Sequence, residues 1–174
     1  MQNSVFESLD TYPELLPVQQ NWQTIREEAI ASLSHTIEIC DSRVRPNMWE
    51  VLPLMPEVED REVIPKSVVQ KSRQLAPKTV QLVECLPNIH AYAFSILKPG
   101  GHIRLHQHEN PFVTATLCLQ TDGHSYIKVA QECQDFREGE FIIFDYRLLH
   151  EVLNDAKGDR IVLLILLDKK NGYS

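Results

Sequence analysis

Histidines at alternate positions are the feature of this sequence that could carry out chemistry. Residues 102–108 read His-Ile-Arg-Leu-His-Gln-His, and alternate side chains of a β-strand point to the same face of a sheet. His106 and His108 could therefore reach one metal ion from a single strand, with His150 as a third ligand and Arg104 on the same face. Three such ligands leave metal positions open for substrate and O2. Two other histidines on predicted strands are expected to be solvated or hydrogen-bonded, namely His102 and His124.

The glycines around these histidines are spaced as in the two motifs of cupin barrels. Gly100 is followed by five residues and the His-x-His pair, while Gly139 is followed by ten residues, His150, three residues and Asn154. The glutamate expected after the His-x-His pair is missing, as are the proline and glycine expected inside the second motif. The resemblance therefore favours a barrel and a metal site, and no particular cupin.

Short apolar and β-branched runs follow residue 88 and predict the strands that would carry these side chains. Turn signals such as those at 98–101 and 157–159 separate the runs. The predicted strands lie near 89–97, 102–108, 112–120, 124–130, 140–145, 148–153 and 160–167. Strands at such short, regular spacing indicate an all-β sandwich or barrel rather than βαβ units. We expect a mainly β fold, with a small jelly roll over residues 88–170.

The N-terminal half reads as helices and loops. Apolar residues recur there at spacings of three and four, which predicts one amphipathic helix. The residues are Val18, Trp22, Ile25, Ala29 and Leu33. A second helix should begin at Pro77, where proline is tolerated, and end before Pro87. Prolines break the segment 41–65, which we expect to be mostly loop with short extended pieces. This N-terminal layer, residues 1–87, should pack on one sheet of the barrel and form a single domain with it over residues 1–174.

Length and charge narrow the class of protein. The chain has 174 residues, with 17 Lys plus Arg and 24 Asp plus Glu, and a formal net charge of −7. An acidic chain without a basic run is a poor partner for nucleic acid or an anionic membrane, and its longest apolar run near the C-terminus, 161–167, is too short to span a bilayer. The first residues lack the pattern of a secretory signal, so we expect a cytoplasmic protein whose four cysteines are reduced and mostly buried.

Two segments of the chain resemble the catalytic domain of the aspartyl/asparaginyl β-hydroxylase family. They read YAFSILKPGGHI at 92–103 and FDYRLLHEVLND at 144–155, and GDRIVLL at 158–164 continues the second. Upstream, segments within 12–28 and at 77–82 resemble helices of the same family. The resemblance therefore extends over nearly the whole chain.

This resemblance implies a double-stranded β-helix that binds Fe(II) and 2-oxoglutarate. Such enzymes hydroxylate a C–H bond with O2 and release succinate and CO2. By position, the two iron histidines of the family correspond to His106 and His150, and the serine and arginine that hold the distal carboxylate of 2-oxoglutarate correspond to Ser95 and Arg160. An arginine in the apolar run 160–164 would also be costly to bury unpaired, and a carboxylate is its natural bidentate partner. A salt bridge to an internal Asp or Glu is the structural alternative.

The chain departs from the family in two places. His108 stands where the family usually has glycine, so it could ligate the metal or hydrogen-bond a substrate. The family's arginine and histidine near the C1 carboxylate of 2-oxoglutarate correspond to Ala115 and Leu117. Arg104 could replace this anchor. Weaker candidates for contacts with cosubstrate or substrate are Asn110, Thr114 and Thr116.

These residues predict an Fe(II)/2-oxoglutarate-dependent dioxygenase that oxidises a C–H bond of a small molecule, an amino acid or a peptide. One alternative is a three-histidine dioxygenase of the cupin type, which needs no cosubstrate and would use Arg104 or Arg160 to clamp a substrate carboxylate. The other is a barrel that binds a metal or a small ligand without catalysis. Succinate formation separates the first hypothesis from the other two.

Overall fold

The computed structural model of the protein describes residues 4–55 and 64–170. Within these residues, ten strands form two antiparallel sheets. Their bounds are β1 Ile37–Glu38, β2 Trp49–Pro53, β3 Ile89–Leu97, β4 His102–His106, β5 Phe112–Gln120, β6 Ser125–Val129, β7 Glu132–Asp135, β8 Phe141–Asp145, β9 His150–Asn154 and β10 Arg160–Asp168. The six-stranded sheet has the order β1-β2-β3-β10-β5-β8, and the four-stranded sheet has the order β4-β9-β6-β7. The mainly β, jelly-roll fold predicted from the sequence is confirmed.

All seven predicted strands are present, and the structure adds β1, β2 and β7. The most consequential addition is β2, which lies in the segment expected to be mostly loop with short extended pieces. It pairs with β3 from Trp49 opposite Leu97 to Pro53 opposite Ala93, and so extends the six-stranded sheet. Proline is tolerated there because it ends the strand. The part of that segment at 56–63 lies outside the described residues.

The helices are shorter than the apolar spacing predicts. Their bounds are α1 Leu16–Gln20, α2 Trp22–Ala31, α3 Lys66–Leu75 and α4 Pro77–Val83. The single helix expected from Val18 to Leu33 is interrupted at Asn21, and Leu33 belongs to a 3-10 turn. The helix at Pro77 is present, while α3 was not predicted because it buries only Val69 and Ser72. No helix in 4–55 or 64–170 is long and apolar enough to cross a membrane.

The helices cover the outer face of the six-stranded sheet, as expected for the N-terminal layer. Val18, Ile25 and Ala29 pack in one buried cluster with side chains of the sheet, among them Leu117 and Leu163. Burial of these apolar groups removes them from water and holds the layer to the barrel.

Strand β10 has two buried faces because helices lie on one side of it and the second sheet on the other. Ile161, Leu163 and Ile165 belong to the cluster with the helices, whereas Val162 and Leu164 point the opposite way and line an internal cavity. A strand buried on both faces reads as a continuous apolar run, which explains the sequence at 161–167.

The cysteines are free thiols. Three of them, Cys40, Cys85 and Cys133, are exposed, so the prediction of mostly buried thiols is wrong. Cys118 lies buried on β5, where burial raises the pKa of its thiol to about 12.

Asn154 fixes the turn that leads into β10. Its side chain is fully buried and donates hydrogen bonds to the carbonyls of Leu97 (2.8 Å) and Gly158 (3.0 Å), while its oxygen accepts one from the N–H of Ala156 (3.2 Å). These bonds tie the end of β3 to the β9–β10 turn. They therefore also set the position of Arg160, the first residue of β10.

Replacing Asn154 with alanine should lower the free energy of unfolding by about 3 kcal/mol, because buried backbone groups lose their partners. Urea denaturation measures this loss. The adjacent, exposed Asp155 provides the control, and Asp155→Ala should change stability by less than about 0.5 kcal/mol. Equal, small effects of the two substitutions would contradict this role of Asn154.

Candidate functional site

A β-bulge in β4 determines which of its side chains face the interior. Ile103 lies opposite Val152 of β9, and His106 lies opposite His150, so three steps along β4 match two steps along β9. The extra residue reverses the alternation, as bulges do. Ile103 and His106 therefore both line the cavity, whereas Leu105 is 55% exposed.

The bulge corrects one prediction. Arg104 does not share a face with His106, and the prediction that it does is wrong. Its guanidinium donates hydrogen bonds to the backbone carbonyls of Ser42 and Arg43, and it does not belong to the described cavity wall. Arg104 therefore holds the loop before β2 against β4, away from the candidate cosubstrate site.

His106 and His150 form the centre of the candidate site. Their ring centroids are 4.2 Å apart. The Nδ1 atom of His106 lies 2.7 Å from the carbonyl oxygen of Arg104, and that of His150 lies 2.7 Å from the carbonyl oxygen of Leu148. A carbonyl only accepts hydrogen bonds, so each Nδ1 carries a proton. In the neutral ring the lone pair then lies on Nε2, which is the state in which histidine binds a metal.

His108 joins this pair from beyond the end of β4. Ligand nitrogens of the three histidines all lie within 4.8 Å of one another. The His108 ring stacks on Tyr146, with centroids 3.7 Å apart and planes inclined by 7°. Burial, and then the nearby His106, lower the pKa of His150 to about 4, so this ligand is neutral at neutral pH, as metal binding requires. The donor set fits a divalent transition metal.

The cavity between the sheets has a volume of about 130 Å³. Besides the histidines, the described part of its wall contains one cationic side chain, Arg160. Arg160 is 3% exposed, and its Nε atom has no hydrogen-bond partner. Burial lowers the pKa of Arg160 to about 10, which still leaves it protonated at neutral pH. No carboxylate of the described residues pairs with it, so the internal salt bridge considered as an alternative is absent from that part of the chain. The guanidinium carbon lies over the Phe136 ring, 4.8 Å from its centroid.

Ser95 lines the same cavity as Arg160. It is opposite Val162, and Arg160 is opposite Leu97, on the neighbouring strands β3 and β10. The Ser95 hydroxyl accepts a hydrogen bond of 2.9 Å from the indole N–H of Trp49. Its own proton is therefore free to point elsewhere. The unpaired Nε of Arg160 and this hydroxyl together fit a carboxylate.

The remaining predicted residues divide between the cavity and the surface. Thr114 and Thr116 line the cavity and are 2% and 4% exposed. Asn110 is half-buried and not among the described lining residues. Ala115 and Leu117, matched to the family's C1-carboxylate contacts, instead pack against the helical layer. Neighbouring residues of a strand point to opposite faces. The side of β5 that faces the cavity therefore carries the threonines and not Ala115 or Leu117.

Two histidines were expected to be solvated or hydrogen-bonded, and each of them lies beside a carboxylate. The Nε2 atom of His102 lies 2.8 Å from a carboxylate oxygen of Glu151, and the Nε2 atom of His124 lies 3.4 Å from one of Asp135. Both pairs lie at the surface. Neither histidine lines the described cavity.

Sequence reasoning missed several aromatic residues of the site. Tyr146 stacks on His108, Phe136 lies against Arg160, and Trp49 donates to Ser95. Tyr146 had a signal, because it precedes His150 by four residues in a segment already singled out. Trp49 had none, since it lies on the unpredicted strand β2.

The fold and the cluster together define a cupin-like barrel with a candidate metal centre. Residues 19–169 match the model of the aspartyl/asparaginyl β-hydroxylase family, and the chain belongs to this family. Human aspartyl/asparaginyl β-hydroxylase is 26% identical over an alignment of 173 residues, which covers 88% of this chain and 21% of the human protein. The chain thus spans about a fifth of the length of this curated relative. Family membership supports an oxygenase-type function.

A solved structure with a similar fold is that of a prolyl-4-hydroxylase from Pseudomonas putida. It superimposes with a TM-score of 0.54 at 17% sequence identity, and the match covers 90% of each chain. At this identity the likeness concerns the fold alone. It supports the jelly-roll fold with helices packed on one sheet.

Replacing His150 with alanine should weaken binding of Mn(II) by more than about 100-fold, because the variant loses one of two histidines whose Nε2 atoms the backbone orients. Calorimetric titration of metal-free protein measures the affinity. His102→Ala is the matched control, since His102 lies on the outer surface, and it should bind Mn(II) like the wild type. Unchanged affinity in the His150 variant would show that the cluster is not the metal site.

Proposed function

We propose that the protein is an Fe(II)/2-oxoglutarate-dependent dioxygenase that oxidises a C–H bond of a small molecule or a peptide. The observation that carries the proposal is Arg160, a buried guanidinium without a carboxylate partner in the described chain, in the same cavity as the three-histidine cluster. A metal and a dicarboxylate would satisfy both groups at once. Membership of a hydroxylase family adds to this support.

In this proposal, each anchor of the site has a separate task. His106 and His150 offer their Nε2 atoms to Fe(II), and His108 is the third ligand. Arg160 and the Ser95 hydroxyl hold the distal carboxylate of 2-oxoglutarate through charge-assisted hydrogen bonds. When bound, Fe(II) and 2-oxoglutarate supply the oxidant, with one oxygen atom of O2 entering the substrate C–H bond and the other entering succinate as CO2 leaves.

The protein contributes positioning and a cavity with apolar walls. Ile103, Ile127 and Val152 line it from the four-stranded sheet, and Val162 and Leu164 line it from the six-stranded sheet. Such walls exclude water and strengthen the interactions of Arg160 with a bound anion. The backbone bonds of His106 and His150 keep their rings oriented before the metal arrives, which lowers the cost of binding.

A second candidate function is a three-histidine dioxygenase that uses no cosubstrate. His108 favours it, because a third histidine takes the place of the family's usual glycine and lies within ligand range of the other two. Arg160 would then bind a carboxylate of the substrate itself. The two candidates differ in whether metal-bound protein binds 2-oxoglutarate.

Arg160→Met tests the proposal, because methionine keeps most of the side-chain volume and removes the charge. Calorimetry under nitrogen with Mn(II)-bound protein should give a dissociation constant for 2-oxoglutarate that is about 100-fold higher in the variant, since a buried charge pair is lost. Arg104→Met is the matched control and should change the constant by less than about twofold. If wild-type protein binds Mn(II) but no 2-oxoglutarate, the second candidate replaces the first.

A further inference from the structure

One wall of the cavity has no role in holding the metal or the cosubstrate. It is the part of the inner face of β3 and β10 that lies beyond the two residues assigned to the cosubstrate, where Leu164 lies opposite Ala93 and Leu166 lies opposite Ala91. All four side chains line the cavity. The two alanines are small, so the space above β3 is left open, while the leucines make the floor apolar. We call this surface the β3–β10 wall.

The charges of the cavity exclude an ionic group at this wall. Apart from the three histidines and two tyrosines, Tyr92 and Tyr146, Arg160 is the one ionisable side chain among the described lining residues, and the proposed function assigns it to the cosubstrate carboxylate. A carboxylate or ammonium group of the prime substrate would lose its water without gaining a partner. An aliphatic group, in contrast, would gain by leaving water.

Thr114 adds a single polar feature beside the β3–β10 wall. Thr114 is on β5, where it lies opposite Leu166 of β10 on one side and opposite Phe144 of β8 on the other. The centroid of the Phe144 ring is 5.0 Å from that of His150. The Thr114 hydroxyl is buried in the cavity wall without a hydrogen-bond partner. Buried hydroxyl groups in proteins are normally bonded, so this one is available to a ligand close to the metal end.

We propose that the group oxidised at this site is aliphatic, that it rests on the β3–β10 wall, and that one uncharged polar atom beside it bonds to Thr114. The proposal rests on the proposed function, which occupies Arg160 with 2-oxoglutarate. An acyl chain and an aliphatic amino-acid side chain share this chemistry. Aspartyl and asparaginyl side chains do not, although the family takes its name from them.

Three uncharged probes distinguish these substrates without involving Arg160. Octanamide represents an acyl chain, N-acetyl-leucinamide an aliphatic side chain, and N-acetyl-asparaginamide a polar side chain on the same backbone. Each is titrated calorimetrically into the 174-residue chain with Mn(II) and saturating 2-oxoglutarate, which requires no turnover. At least one aliphatic probe should bind at least tenfold more tightly than the asparagine probe, and the better of the two identifies the source. Equal or tighter binding of the asparagine probe overturns the proposal.

Substitutions then locate the bound probe. Ala93→Phe fills the space above β3 and should abolish binding of the aliphatic probe, while the affinity for 2-oxoglutarate changes by less than about twofold. Ala93→Val is the milder variant and should weaken the probe about fivefold. Unchanged probe affinity in a folded variant overturns the proposal.

Thr114→Val removes the unpartnered hydroxyl with little change of shape and should weaken the amide probes about fivefold. Thr116→Val, two residues along the same face, is the matched control and should have an effect below twofold. If Thr114→Val weakens 2-oxoglutarate instead, the hydroxyl belongs to the cosubstrate and the inference is wrong. The three probes carry no charge and do not compete for Arg160, so their binding is measured independently of the cosubstrate. Failure of the wild-type protein to bind 2-oxoglutarate would therefore contradict the proposed function and not the preference for an aliphatic group.

Discussion

Burial of the Arg160 guanidinium is the constraint around which the interior of this protein is arranged. Removing an unpaired cation from water costs several kcal/mol, and the described chain offers Arg160 the face of Phe136 but no carboxylate. The cost is tolerated because β10 is held on both sides, by β3 and by β5. Asn154 fixes the turn at its start. A rigid, unpaired cation facing a cavity is prepared for an anionic ligand.

The metal end of the cavity depends on a different device. The bulge in β4 brings His106 opposite His150, and the backbone carbonyls of Arg104 and Leu148 set the ring tautomers. Without the extra residue, Leu105 would face the cavity in place of His106. The two ends are thus built from separate elements, β4 and β9 for the metal and β3 and β10 for the anion, and the jelly roll brings them to one cavity.

Much of this arrangement is readable from the sequence, because alternation and turn signals mark the strands and an arginine in an apolar run demands a partner. The bulge is not readable, since alternation alone puts Arg104 beside His106. The same limit applies on β5, where a difference of one residue separates Ala115, which faces the helices, from Thr116, which faces the cavity. Trp49 was missed because prolines before, within and after β2 left this strand without a clear alternating pattern.

The most direct test of the central claim is the visible spectrum of metal-free protein on anaerobic addition of Fe(II) and then 2-oxoglutarate. Chelation of iron by a 2-oxo acid produces a weak charge-transfer band that neither component produces alone. We expect this band to appear in the wild type and to be lost in Arg160→Met at limiting 2-oxoglutarate. Tight binding of Fe(II) without the band would contradict it, and would leave a histidine metal site whose buried arginine serves another anion.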